Sequence, residues 1–259
     1  MTGVQTCALP IFNVGIITGF GINADEELRE AFRLSGASAE YLHISELIHR
    51  PALLDSYHIL GFPGGFSFGD HLGAGLVFAN MCKKHLSTAF NTFIGAGKLI
   101  IGICNGFQVL VKMGLLPDLG SSMEQEVSLI HNDSGVFEDS WVELSFPEST
   151  CVWTRGLANM SLPIRHGEGR FITGSAAITD QLIKNKLIAL TYAKRNPNGS
   201  ILDIAGITDP TGRILGLMPH PEAFLTPYNH PHWQRETDEN NDGLLMFKRG
   251  VQYAESNVR

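Results

Sequence analysis

The sequence predicts an α/β fold, with a mostly parallel sheet flanked by helices. Three observations predict it. Short apolar, β-branched runs recur through the first half, and stretches of helical periodicity separate them. Glycines cluster where those runs end, at Gly19 and Gly21, at Gly61, Gly64 and Gly65, and at Gly102 and Gly106. The chain has 259 residues, 44% of them hydrophobic and 17% charged, so it can bury a sizeable core and is not globally disordered.

The elements follow in order. Residues 12–18 (FNVGIIT) read as a buried strand. Asp25, Glu26 and Glu27 then place negative charge in the first turn of a helix, where the macrodipole favours it. Leu28, Ala31, Phe32 and Leu34 give that helix an apolar face, and Gly36 closes it. Residues 40–44 and 57–62 are the second and third strands, 72–90 a helix, and 98–103 (KLIIGI) a fourth strand running into a helix over 106–113. Gly114 and Pro117 end that helix. Beyond about residue 120 the pattern is more mixed, with strand-like runs at 141–146, 187–193 and 214–218 separated by turns such as Asn196-Pro197-Asn198-Gly199. Residues 230–242 are polar and acidic and read as a surface loop; 243–254 read as a closing helix. The second half continues the same domain, so 12–259 is expected to be one unit. Residues 1–11 fit neither a strand nor a secretory leader and read as a foreign or disordered extension, which leaves Cys7 out of the chemistry.

Charge and cysteine usage exclude several classes. There are 19 Lys and Arg against 26 Asp and Glu, a net charge of −7, and no basic run. That argues against a nucleic-acid surface or an anionic-membrane patch. No uninterrupted apolar stretch approaches the roughly 20 residues that span a bilayer. Cys7, Cys82, Cys104 and Cys151 form no Cys-x-x-Cys pair and keep no metal-finger spacing with histidine. No metal site and no disulfide scaffold is expected, and a reducing cytoplasm is the expected compartment.

Three segments carry chemistry. Gly102-Ile103-Cys104-Asn105-Gly106 lies where a buried strand turns into a helix. Such a tight turn lifts one side chain above the sheet and aims the free N–H groups of the helix N-terminus at it. A cysteine there is arranged as a thiol nucleophile. A buried structural cysteine is the alternative, and it is the reading kept for Cys82 and Cys151. Second, Pro219-His220-Pro221-Glu222 follows an apolar strand, and in extended chain residues i and i+2 share a face. Glu222 can then orient His220 while His220 takes the thiol proton, which makes Cys104, His220 and Glu222 a nucleophile–base–orienter set. A surface His-x-Glu with no role is the bland reading. Third, Gly64-Gly65 within residues 61–70 permits N–H groups to converge on one point, a nest for an oxyanion. An ordinary turn or a phosphate loop is the alternative; no Gly-Lys-Ser/Thr and no Gly-x-Gly-x-x-Gly follows there.

Together these segments resemble the class I (triad) glutamine amidotransferases, and within them the family of phosphoribosylformylglycinamidine synthase glutaminases. The resemblance rests on Thr18 to Asn23, Pro63 to Asp70, Gly102 to Gln108, Gly114 to Pro117, His131 to Gly135, His166 to Phe171, Asn196 to Ser200, Ile204 to Gly206 and Pro219 to Phe224. It covers the chain from about Phe12 onward. Two departures stand out: Ala223 where many relatives carry arginine, and His71-Leu72-Gly73 where other residues are common.

The resemblance implies a flavodoxin-like sheet and a thioester mechanism, in which Cys104 attacks the side-chain amide of glutamine. It implies an oxyanion hole from the N–H groups of Gly65 or Phe66 and of Asn105. It implies a glutamine pocket using Gln108 and Gly64, with His166 and Glu168 lining that pocket or the partner face. It implies no cofactor in this chain, ATP and Mg being held by a synthetase partner that receives the ammonia; a further implied partner is a small bridging subunit. Two other readings remain at this point: a glutaminase feeding a different synthetase, and a silent module that binds glutamine or a partner. A Cys-dependent hydrolase or chaperone-like protein of related fold is disfavoured, because its base usually lies close in sequence, whereas His220 is far from Cys104.

Overall fold

In a computed structural model, residues 12–120, 122–235 and 242–258 are described. The expected extension over 1–11 and part of the expected acidic loop lie outside them. The apolar run at the start forms β1 (Asn13–Thr18), and the acidic-first-turn segment forms α1 (Asp25–Leu34), with Leu28, Ala31 and Phe32 buried. β2 (Ser38–His43) and a short helix α2 (Ile44–His49) follow, then β3 (Ile59–Phe62). The helix expected from 72 begins later, as α3 (Leu76–Gly95). Gly73 and Gly75 hold φ of +106° and +75°, so the chain makes a single 3-10 turn at Asp70–Leu72 before the helix can start.

β4 (Leu99–Ile103) is fully buried and leads into α4 (Asn105–Met113), closed by Gly114 in the left-handed region. The second half holds β5 (Val127–Ile130), β6 (Glu138–Ser145), β7 (Met160–His166), β8 (Arg170–Thr173), α5 (Ala176–Lys184), β9 (Ile188–Tyr192), β10 (Ile204–Thr208), β11 (Ile214–Leu217) and α6 (Asp242–Asn257).

One nine-stranded sheet has the order β2-β1-β3-β4-β11-β10-β9-β6-β7. Strands β2, β1, β3, β4 and β11 run parallel. This is the doubly wound part, and its inner strands are apolar because helices cover both faces. From β11 through β10, β9 and β6 to β7 each pairing is antiparallel. β5 and β8 form a separate two-stranded ribbon. One contiguous core runs from Phe12 to Val258. The expected strands and the nucleophile helix are present. α2, β5, β7, β8, α5 and β10 are additions that the hydrophobic pattern did not predict. No helix among the described residues is long and apolar enough to cross a membrane.

Two features position the site. The C-terminal ends of the adjacent strands β3, β4 and β11 bring residues 63–65, Cys104 and His220 to one edge, where ligands bind in open α/β sheets. The antiparallel half then curls back over that edge: the His220 N–H donates to the Pro163 carbonyl of β7 at 2.8 Å. The strand at the end of the sheet order thus returns to the rim that carries Cys104 and His220.

Candidate active site

Cys104 is the N-cap of α4, with φ +53° and ψ −106°. A side chain with a Cβ rarely takes that conformation, so the turn holds strain of order 1–3 kcal/mol. Neighbouring packing holds it in place. A Cβ on Gly106 would come 2.0 Å from the Phe62 carbonyl oxygen, so only glycine lets α4 press against the end of β3. The Cys104 N–H donates to the Leu217 carbonyl at 2.8 Å, joining the nucleophile turn to β11. Cys104 is 7% exposed, and its Sγ donates to the Arg165 carbonyl at 3.6 Å.

His220 and Glu222 are 3% and 1% exposed. His220 Nδ1 lies 2.5 Å from Glu222 Oε1, which assigns the proton to Nδ1 and leaves Nε2 for the thiol side. Among the described residues that Nε2 is buried and has no hydrogen-bond partner. Burial pushes the imidazolium down, but the Glu222 carboxylate, with Cys104 beside the ring acting in the same sense, outweighs it and lifts His220 to about 10. Gly64 lies against the pair: a Cβ there would meet His220 Cε1 at 2.9 Å and Cys104 Cβ at 3.6 Å.

The oxyanion donors separate on the same grounds. Phe66 N–H donates to the Gly21 carbonyl at 2.7 Å, so it is engaged within the protein. Gly65, at φ +143°, has its own N–H outside that ladder. A Cβ on Gly65 would strike Gly21 O at 2.6 Å and Ile22 Cα at 2.8 Å. Asn105 occupies the first position of α4, where a helix leaves its N–H groups without intrahelical partners.

A cleft of about 130 Å³ opens over the pair, lined by Asn23, Ala24, Gly65, Phe66, Cys104, Phe137, Arg165 and His220. Gln108, His166 and Glu168 do not line it. They stand behind it in a buried network. Asn105 Oδ1 accepts from the Ser67 N–H at 3.2 Å, and its Nδ2 donates to Gln108 Oε1 at 3.0 Å. Gln108 Nε2 donates to the Glu168 carbonyl at 2.6 Å, and Glu168 Oε2 accepts from the Ala74 N–H at 3.3 Å. His166 Nδ1 meets Asn132 Oδ1 at 3.1 Å. Burial first, and then the charge of His220, hold His166 at about 4, a neutral imidazole at pH 7. Asn132 also donates to the Val136 and His166 carbonyls and accepts from the Gly169 N–H.

Sequence reasoning did not single out Arg165 or Phe137, and reached Asn23 only as the end of the segment 18–23 that carries the resemblance. Arg165 carries no motif, and only the return of β7 brings it to Cys104. Asn132 and Asn198, both buried, were reached only as members of segments that carry the resemblance, Asn198 also as part of a turn. Cys82 and Cys151 are free and buried, and burial pushes both thiols up, as suits structural residues.

Residues 12–254 match the family model for the CobB/CobQ-like glutamine amidotransferase domain. The chain is 44% identical to the phosphoribosylformylglycinamidine synthase subunit PurQ of Dehalococcoides mccartyi, over 90% of this chain and 94% of that one. It is 38% identical to the subunit of the same name from Methanococcus maripaludis, over 92% and 97%. Among solved structures it superposes on a chain of PurLQS from Thermotoga maritima with TM-score 0.73 and 29% identity, covering 94% of this chain and 99% of that one. Another glutamine amidotransferase from Thermotoga maritima, at 16% identity and TM-score 0.57 over 94% of this chain and 97% of that one, shares the fold.

Proposed function

The chain belongs to the CobB/CobQ-like glutamine amidotransferases, among the glutaminase subunits of phosphoribosylformylglycinamidine synthase, and from that premise we propose how its own residues carry the reaction. It hydrolyses L-glutamine and delivers ammonia to a synthetase subunit, which makes formylglycinamidine ribonucleotide in purine biosynthesis. ATP and Mg are assigned to the synthetase, and the working compartment to the cytoplasm.

Cys104 gives its proton to His220, and Sγ attacks the carboxamide carbon of glutamine. The carbonyl oxygen becomes an oxyanion held by the N–H groups of Gly65 and Asn105, where one such donor is worth about 2.7–4 kcal/mol. His220, kept protonated by Glu222, passes its proton to the nitrogen, the C–N bond breaks and ammonia leaves. The remaining γ-glutamyl thioester is attacked by water, whose proton His220 accepts. Collapse of that second oxyanion frees glutamate and returns the thiol. Gln108 and Glu168 act as positioning residues, through Asn105, on the loop that carries Gly65.

The observation that carries this reading is the strained Cys104 turn beside a buried imidazole whose far nitrogen lies 2.5 Å from a carboxylate. Acid quenching during turnover with L-glutamine tests it. A glutamyl group is expected on the peptide bearing Cys104. A turning-over enzyme with no adduct, or with its adduct on Cys82 or Cys151, contradicts it.

A further inference from the structure

Among the described residues, the cleft over Cys104 has one fixed cation on its walls and no carboxylate. Its lining residues are Asn23, Ala24, Gly65, Phe66, Cys104, Phe137, Arg165 and His220. Arg165 has no ion-pair partner among the described residues; the one side chain its guanidinium approaches is His220, with Nδ1 at 3.4 Å from Nη2. That approach is not a satisfied hydrogen bond. Nδ1 already carries the proton shared with Glu222 Oε1 at 2.5 Å, so it has no lone pair left for a guanidinium donor. Arg165 thus lines the cleft as a partly buried guanidinium beside His220 with no carboxylate paired to it among the described residues, and carboxylates match its planar fork of donors.

The surroundings are polarised in the same sense. Asn23 lines this cleft and also a neighbouring one of about 640 Å³, whose walls carry, among the described residues, Asp25, Glu26, Glu27, Glu30 and Glu222 against the one cation Arg29, a net acidic wall. Across the site the potential runs from cationic at Arg165 to acidic beyond Asn23. Free glutamine is a zwitterion: its carboxamide reaches Cys104 on a short aliphatic stem, and its α-carboxylate and α-ammonium must sit somewhere on the rim.

We propose that Arg165 is the residue that recognises the α-carboxylate of glutamine, with the α-ammonium turned toward Asn23 and the acidic wall, so that Arg165 selects free glutamine over other primary amides. This rests on the reading of Cys104 as the glutaminase nucleophile. Arg165 takes no part in bond making and gives up no proton.

The test uses the full chain with its synthetase subunit, comparing L-glutamine with the amine-bearing amide obtained by removing its α-carboxylate. Arg165→Met is expected to lower kcat/KM for glutamine about ten- to hundredfold, mostly through KM, the range of a lost charge-assisted hydrogen bond. The decarboxylated amide should change less than about threefold, and Arg165→Lys should restore part of the glutamine preference. Equal losses on both substrates, or a shifted pH profile with KM unchanged, would overturn the proposal and make Arg165 a residue that acts through His220.

A second measurement keeps the test sound if the variant folds poorly. A glutamine chloroketone carries the α-carboxylate and alkylates Cys104 as the thiolate displaces chloride; iodoacetamide loses iodide in the same way and carries no such carboxylate. Arg165→Met should slow the first reaction at least about tenfold and leave the second unchanged. Slowing of both alike would overturn the proposal. No hydrolysis of either amide by the wild-type complex would instead overturn the glutaminase reading, and Arg165 recognition with it.

Discussion

The Cys104, His220 and Glu222 side chains are held by short-range contacts that single substitutions can separate. Glu222→Gln keeps the shape but removes the charge that lifts His220. It is expected to lower kcat about 10²–10⁴-fold and to move the alkaline-side fall of the rate to lower pH, because the imidazole then loses its proton at lower pH. His166 gives a different signature. Its folded value, about 4, lies below the unfolded 6.5, so the unfolded chain binds more protons between those limits. Its contribution to stability is present above pH 6.5 and lost as pH falls toward 4. A series of Tm values for wild type and His166→Gln over about pH 4–8 should therefore converge on the acid side. At this scale the sequence was informative: Gly-x-Cys-x-Gly and His-x-Glu each name their residues, because the local turn and the two-residue period fix where those side chains point. Arg165 was not legible, since a lone arginine on a strand has no local signal and its role depends on a distant strand.

At the scale of elements, packing between β3 and α4 sets the spacing of the Cys104 turn and the glycine loop, the proposed oxyanion site. Gly106→Ala would drive a methyl group into the Phe62 carbonyl at the start of the glycine loop. The expected cost is about 1–3 kcal/mol of stability with a larger loss of activity, read by denaturant melts and glutamate release on the same sample. Asn132→Ala would orphan groups on His166 and Gly169, at ~1–3 kcal/mol for each buried group left unpaired. It should loosen the 166–170 turn, seen as faster amide exchange there. The parallel strands were legible because uninterrupted apolar runs such as LIIGI have no other good solution. β7 was not, because Pro163 sits inside it; the strand tolerates proline as an edge that pairs with β6 alone. β10 was hidden by a register shift at Gly206, which interrupts its pairing with β9. α5 did leave a trace: Ser175 caps it by accepting from the Ile178 N–H, a signal the hydrophobic pattern did not reveal.

At the scale of the molecule, the antiparallel half closes the site. By bending β7 back onto the His220 turn, it supplies the Arg165 carbonyl to Cys104 and roofs a cleft that the parallel half would leave open. Phe66 and Phe137, 46% and 52% exposed with ring centres 6.5 Å apart, frame its mouth. A site framed by exposed rings and built across a folded-back strand gains order from a partner, so the isolated chain is expected to be slow and the complex fast. The long-range return of a strand is what periodicity and propensity cannot report, which is why the sequence pointed to the Cys104 turn but not to the roof above it. The decisive experiment is glutamine-dependent glutamate release, measured with and without the synthetase partner, its ribonucleotide substrate and Mg-ATP, beside a Cys104→Ala control. Strong release is expected on adding the partner, with amidine product formed mole for mole with glutamate, and loss of both in the variant. Equal release from Cys104→Ala, or none from the wild-type complex, would contradict a Cys104 glutaminase that feeds the synthetase.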